Sequence, residues 1–291
     1  MLFTIKDIEN LSGIKAHTIR IWEQRYSFLK PKRSDTNIRY YTNDELKIIL
    51  NIALLNKYGY KISHINEMGR EAIFENVLSL TDAAAKANIT VNRLLECMVA
   101  FDVELFEKIL NNYILASGIE KTIIQIIYPF LDKVGNLWLT NHINPAQERL
   151  VSNVIRQKII AGIDSLSSKT TSSSIVCLFL PEGEYHELSL LFVAFLLKKK
   201  GIPIIYLGAN IPFEELKTVT SIKKPVFLYT HVTTAGQSFN FDKFLSILNK
   251  DFRNYVTIIS GRLTAAYVKK IPKKITFKKS LGEVKEFIKN L

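Results

Sequence analysis

Two sets of residues have types and spacings that could do chemistry. The first is Glu184-Tyr185-His186. An imidazole can bind a metal through one ring nitrogen while the other donates to a carboxylate, which fixes its tautomer. Glu184, two residues before His186, is placed to be that carboxylate; on spacing alone, His186 could equally be a surface or capping residue. The second set is a line of cations and hydrogen-bonding side chains near the start: His17, Thr18, Arg20, Arg25, Lys32, Arg33, Arg39 and Tyr40. Arginine and lysine neutralise phosphates, and side chains on a helix can read base edges.

The chemistry of other classes is missing. Gly201, Gly208, Gly236 and Gly261 stand alone, so no phosphate loop or dinucleotide fingerprint is formed. No nucleophile–base set or paired carboxylates read as catalytic, and the chain is expected not to be an enzyme. Two cysteines, Cys97 and Cys177, exclude a disulfide scaffold and a four-cysteine zinc site, and fit a reducing compartment. No apolar run of about 18 residues is free of charges or breaks, so no membrane span is expected. Asp7 and Glu9 come too early for a signal peptide. The cytoplasm is the expected location.

The elements that must position these residues follow from periodicity. Over 291 residues, 47% hydrophobic and 23% charged, two or three domains are expected. Charge divides the chain: net +5 over residues 1–70, −3 over 71–166 and +10 over 167–291. The middle segment is therefore not expected to touch nucleic acid. Thr4 can cap a first short helix, Gly13 supplies a turn, and Ala16 to Tyr26 makes a second helix with Ile19 and Trp22 inward. Pro31-Lys32-Arg33 and Asn37 to Tyr41 are basic arms about a turn at Asp35-Thr36-Asn37, and Thr42 caps the next helix. Of Tyr40 and Tyr41, one belongs to the core and the other is exposed.

From residue 75 to 166 apolar residues recur at helical spacing, interrupted at Gly118, Pro129, Gly135 and Pro145, which predicts a four-helix bundle. The Ser/Thr-rich stretch 165–174 reads as a linker. Beyond it, apolar runs at 175–180, 202–207, 226–230, 256–260 and 275–277 alternate with helices at 188–197, 213–221, 241–249 and 281–291. That alternation predicts a doubly wound, five-stranded parallel sheet of the Rossmann-like class. Three domains are expected: a winged helix-turn-helix at 1–72, the bundle at 75–166 and the α/β domain at 174–291. Ligands of such sheets bind at the carboxyl ends of the strands, where Glu184 and His186 fall.

The first 70 residues resemble the MerR family of transcription regulators. The words that match are Phe3-Thr4-Ile5, Leu11-Ser12-Gly13-Ile14, Thr18 to Glu23, Arg25-Tyr26, Leu29-Lys30-Pro31, Arg33 and Arg39-Tyr40-Tyr41. The resemblance implies that His17, Thr18, Arg20 and Arg25 enter the major groove or its flanks. It also implies that Arg33, Arg39 and Tyr40 contact the backbone of a double-stranded operator bound by a dimer. Arg25 and Arg39 in surface ion pairs is the competing reading.

Gly183 to Leu188 and Tyr206 to Pro212 resemble the cobalamin-binding domain of the light- and vitamin-B12-dependent branch of that family, the CarH and LitR type. The resemblance implies cobalamin, in the adenosyl form among others, with His186 as the lower axial ligand of cobalt and Glu184 bonded to it. Thr230-His231-Val232 and Ser260-Gly261 stand where the family lines the cofactor's nucleotide tail, so Thr230 and Gly261 are implied contacts. Ser189 and Ser260 replace glycines usual there. Trp138, with Glu148 ten residues on, matches the family's cap over the upper face, while Arg149 and Leu139 replace its histidines. Trp138 is either that cap or a core residue. Leucine has no donor atom for a metal, so capture of cobalt after photolysis is not expected by the family's route.

The function expected is a DNA-binding regulator that senses cobalamin and couples the ligand to a homo-oligomer, dimer or tetramer. The alternative is a regulator whose α/β domain no longer binds cofactor and serves dimerisation or a partner. A corrinoid enzyme, which would have no use for an operator reader, is the third and least favoured.

Overall fold

The computed structural model describes the chain except residues 1, 36, 140–142, 167–169, 171 and 234–238, and the side chains of Trp138 and Leu139. The chain forms two compact units, Met1–Ile155 and Arg156–Leu291.

The first unit opens with a reader. Strand β1 (Phe3–Thr4) runs into α1 (Ile5–Ser12), and α2 (Ala16–Arg25) follows a turn. Thr4 and Asp7 cap α1 reciprocally, satisfying N–H groups that the first turn leaves unpaired. Gly13 ends α1 at φ 76°, a left-handed conformation that glycine adopts without strain. Strands β2 (Lys32–Arg33) and β3 (Arg39–Tyr41) form an antiparallel wing, with β1 on the far side of β3. Phe3 pairs with Tyr41 across that sheet, and both are fully buried. Tyr41 is therefore the core tyrosine of the pair, and Tyr40, half-buried, faces the other way. Helix α3 (Asn43–Lys57) carries a second reciprocal cap, Thr42 with Glu45. With α4 (Ile62–Glu67) and α5 (Arg70–Leu78), it closes a core around Trp22, Ile52, Leu55, Ile65, Ile73 and Val77.

Four helical stretches follow in the same unit or start there. They are α6 (Ala83–Ala100), α7 (Val103–Ser117), the continuous run α8 (Ile119–Thr122) to α9 (Tyr128–Leu139), and α10 (Pro145–Asp164). Two expected breaks are real: Gly118, at φ 77°, separates α7 from α8, and Pro145 opens α10. The other two are not. Pro129 lacks the N–H that would close an ordinary turn, and the chain answers with a π turn at Ile123–Ile127 instead of stopping. Gly135 lies inside α9.

The second unit has five parallel strands: β4 (Val176–Pro181), β5 (Ile204–Ile211), β6 (Phe227–His231), β7 (Val256–Ser260) and β8 (Ile275–Lys278). Their order is β5-β4-β6-β7-β8, so the direction of winding reverses at β4. Helices α11 (Leu188–Lys199), α12 (Phe213–Lys223), α13 (Phe241–Asp251), the short α14 (Arg262–Ala266) and α15 (Leu281–Lys289) connect and cover them. Every residue of β4 is buried, as expected of a central parallel strand covered on both faces. All five expected strands are present; α14 is an addition. Lys200, at the end of α11, donates to the carbonyls of Ile288 (2.7 Å) and Lys289 (2.5 Å), so it serves the C-terminus of α15.

Candidate functional site

In the reader, the expected contact residues separate cleanly from the core. Ile19 and Trp22 are buried on one face of α2, while His17, Arg20 and Arg25 are exposed and Thr18 is half-buried. Thr18 Oγ1 and His17 Nε2 are 3.3 Å apart. On the wing, Arg33 lies opposite Arg39, and its Nη1 donates to Asn37 Oδ1 at 2.6 Å. Asn37, at φ 63°, and the bonds Ser34 N–H to Ile38 O and Asn37 N–H to Ser34 O close the wing tip. Residue 36 of the expected turn lies outside the described residues.

Arg39 is less simple than its sequence suggests. Its Nε donates to Glu23 Oε2 of α2 at 2.7 Å, and the Tyr41 hydroxyl donates to Glu23 Oε1. Burial first, then this carboxylate, pushes the Tyr41 phenol well above its ordinary pKa. The ion pair expected as the competing reading of Arg39 is thus formed. It also fixes the wing to α2. Arg25 makes no ion pair among the described residues.

In the second unit, the loop after β4 is built around one carboxylate. Gly183, at φ 85°, turns the chain, and its N–H donates to Asn210 Oδ1 at 2.9 Å. The Asn210 N–H returns a bond to Glu184 O, tying the loop to the end of β5. Glu184 is fully buried. Its Oε1 accepts from the N–H groups of Tyr185 and His186, both at 3.0 Å, and lies 2.5 Å from His186 Nδ1. Its Oε2 accepts from the Thr233 N–H at 2.8 Å, beyond the end of β6. Burial alone would raise the Glu184 pKa; the bonds from His186 and the two backbone N–H groups outweigh it and hold it at about 2. An ionised carboxylate only accepts, so His186 Nδ1 is the donor and carries the proton. The lone pair of a neutral His186 then sits on Nε2, and the side chain is 61% exposed. That is the geometry of a metal-ligating histidine with its outer partner in place.

Sequence reasoning missed two groups of companion contacts. Glu187 Oε1 accepts from Tyr206 Oη at 2.8 Å and its Oε2 pairs with Arg156 Nη2 at 2.6 Å, so the start of α11 is braced from β5 and α10. At the ends of β6 and β7, Ser260 Oγ lies 2.7 Å from Tyr229 Oη and 2.8 Å from His231 Nδ1. Burial pushes the His231 pKa down to about 4, against the pull of Glu184 and with the push of His186, so this imidazole is neutral at pH 7. His231 and Ser260 meet because β6 and β7 pair them in register, a relation that spacing does not carry.

The structure brings Glu184, His186, Thr230 and Gly261 to one edge of one sheet. Thr230 Oγ1 is fully buried without a hydrogen-bond partner among the described residues, a hydroxyl available to a ligand. Gly261 has another explanation: at φ 104°, a Cβ there would lie 2.4 Å from the carbonyl oxygen of Val232, so its space is taken by the protein's own backbone. Trp138 and Glu148 belong to the first unit. Glu148 is half-buried and accepts from Ser152 Oγ at 2.6 Å, and the Trp138 and Leu139 side chains lie outside the described residues. Among the described residues no cluster of three or more His, Cys, Asp or Glu could hold a metal, and no helix is long and apolar enough to cross a membrane.

Residues 3–71 match the family described as MerR HTH family regulatory protein, and residues 90–161 match the B12 binding domain family. The chain thus joins a MerR HTH region to a B12 binding domain. It is 25% identical to the HTH-type transcriptional repressor CarH of Myxococcus xanthus over 254 residues, 85% of this chain and 84% of that one. It is 27% identical to the repressor CarA of the same organism over 219 residues, 75% of this chain and 72% of that one. Among solved structures, the monomethylamine corrinoid protein of Methanosarcina barkeri is similar in fold, with a TM-score of 0.55 at 16% identity over 68% of this chain and 97% of that one.

Proposed function

We propose that this chain is a MerR-family, sequence-specific transcription regulator that senses cobalamin and is not an enzyme. The observation that carries the reading is the Glu184–His186 pair, preorganised on a strand edge of the same chain that holds an operator reader. His17, Thr18, Arg20 and Arg25 face the major groove, and Arg33, Arg39 and Tyr40 hold the phosphate backbone. The reader at 1–72, the bundle at 75–166 and the α/β domain at 174–291 act as three modules in the cytoplasm. The curated relatives are named as repressors, which supports repression as the sign of control.

The residues present fit a corrinoid. His186 Nε2 supplies a ligand atom, Glu184 fixes the tautomer, and Thr230 Oγ1 offers a buried hydrogen-bonding group. A bound corrinoid would supply a cobalt centre able to take an imidazole ligand, and His186 would provide it. Trp138 and Glu148 are kept as candidate cofactor contacts on the resemblance alone. Binding is coupled to a homo-oligomer, dimer or tetramer, through differential affinity for the assemblies, and the oligomer sets operator occupancy.

One observation favours the alternative, a regulator whose α/β domain has lost the cofactor. Tyr229, Ser260 and His231 form a closed polar chain where the resemblance puts the nucleotide tail, and Phe179 and Tyr229 are fully buried. The test is retention of adenosylcobalamin after mixing in the dark and desalting, read by the visible spectrum before and after light. Corrinoid near one per chain is the expected result. A colourless protein that still shifts operator DNA would sink the sensor reading and leave the degenerate one.

A further inference from the structure

Within the first unit, where the reader meets the bundle, a cavity of about 250 Å³ lies beside the α1–α2 turn. Ser12 and Gly13 of that turn line it, with Lys57 of α3, Asn88 and Asn92 of α6, and Lys133 of α9. None of the residues lining it is acidic. Lys133 reaches into the seam and donates to the Leu11 carbonyl at 2.7 Å and to Asn92 Oδ1 at 3.1 Å. Both partners are neutral, and no carboxylate lies within ion-pair distance of Lys133 among the described residues. Asn92 is buried and gives its oxygen to Lys133, which keeps both of its N–H donors for another acceptor. Burial, and then the charge of Lys57, push the Lys133 pKa down to about 8. Two cations thus share a partly enclosed space with no counter-charge among the described residues, an arrangement that costs free energy until an anion enters.

We propose that this seam is a binding site for a small phosphate-type oxyanion, held between Lys133 and Lys57 with amide donors from α6. Such an ion would fasten the turn from which α2 projects to the bundle. It would therefore act on the reader by a route that does not pass through the corrinoid edge. Free phosphate and a small phosphomonoester share this chemistry.

The experiment is thermal unfolding of the full chain in chloride against inorganic phosphate at matched ionic strength and pH 7, repeated with glucose 6-phosphate. Phosphate also stabilises proteins generally by exclusion from their surface, so the variants decide. Lys57 is exposed, and Lys57→Met is expected to leave the fold intact. The wild type should gain at least about 2 °C at saturating phosphate, and Lys57→Met and Lys133→Met should lose most of that gain. A larger gain with the sugar phosphate would assign the site to an esterified ligand; a larger gain with inorganic phosphate, to the free ion. An equal gain in wild type and Lys57→Met, or none, overturns the proposal. So does a Lys57→Met variant that weakens operator binding while keeping the full phosphate response, because that assigns the lysine to DNA.

Discussion

The reader sets its polar chemistry outside its own core, whereas the α/β unit buries most of its polar chemistry. In the reader, Arg20 and Arg25 stand in solvent, with Ile19 and Trp22 packed behind them. In the α/β unit, Glu184, Thr230 and Ser260 are themselves buried, while His186 is presented outward. The contrast follows from the two ligands. A phosphate backbone is met by long cations that need only be placed, because the attraction is long-ranged and screened by salt. A metal ligand must be held in one tautomer and one orientation, which takes a desolvated carboxylate with all its bonds made. Substitution of the exposed Arg20 or Arg25 should therefore change binding with little change in stability, whereas substitutions around Glu184 should change both.

The largest effect is expected from His186→Ala. Corrinoid retention should fall by more than the roughly 10–100-fold that an outer partner of a metal ligand commands, and operator binding by the cofactor-free protein should be unchanged. Equilibrium dialysis with the visible spectrum reads the first, and a gel shift the second. Undiminished corrinoid affinity would remove the axial role. Glu184→Gln should weaken binding by about 10–100-fold and lower the melting temperature of the second unit as well, since it removes the charge that collects four bonds.

The reader supplies the counterpart. Arg20→Ala should cost about 1–3 kcal/mol on the matched operator and much less on an unrelated sequence, with the melting temperature held. Arg39→Ala should weaken both sequences alike and lower the salt slope by about 1. It should also reduce stability, because Glu23 loses its cation. Equal loss on both sequences for Arg20→Ala would move that residue to the backbone class.

The two regions were unequally legible in the sequence. Buried parallel strands are continuous apolar runs, so all five could be read from residues 175–277. The reader's caps were legible because Thr4 and Thr42 act within three residues of their partners. Tyr40 and Tyr41 were not separable, because both fit an alternating strand and only the pairing of Tyr41 with Phe3 decides between them. The Glu184–His186 pair is local and could be seen; Tyr229, His231 and Ser260 meet only through strand register. Arg156 with Glu187 joins a helix to a loop 31 positions on, beyond any periodic signal.

A smaller effect should appear on acidification, and in the α/β unit first. His231 is neutral in the fold, with its pKa near 4 against 6.5 for an unburied imidazole. Between those values the unfolded chain binds more protons, so this contribution is complete above about pH 6.5 and is lost as pH falls toward 4. Glu184 acts in the same sense at lower pH, between 4.5 and about 2. Melting temperature from pH 7 to pH 5 should fall, and His231→Gln should flatten that slope while leaving the reader's pH response unaltered. An unchanged slope would show that His231 does not titrate with folding.

The smallest effect tests whether the reader's stability is as local as its exposed chemistry suggests. Thr42 accepts from the Glu45 N–H at 3.4 Å, and Glu45 Oε2 accepts from the Thr42 N–H at 2.7 Å. Thr42→Ala removes one half of this reciprocal cap and should cost about 1 kcal/mol, a shift of a few degrees. Helix α3 follows the wing strand directly and carries the core of the first unit, so the loss should be felt throughout the reader. Corrinoid retention, measured well below the melting transition and read through His186 in the other unit, should not move. A Thr42→Ala protein that bound corrinoid less well would show that the reader's stability bears on the corrinoid edge.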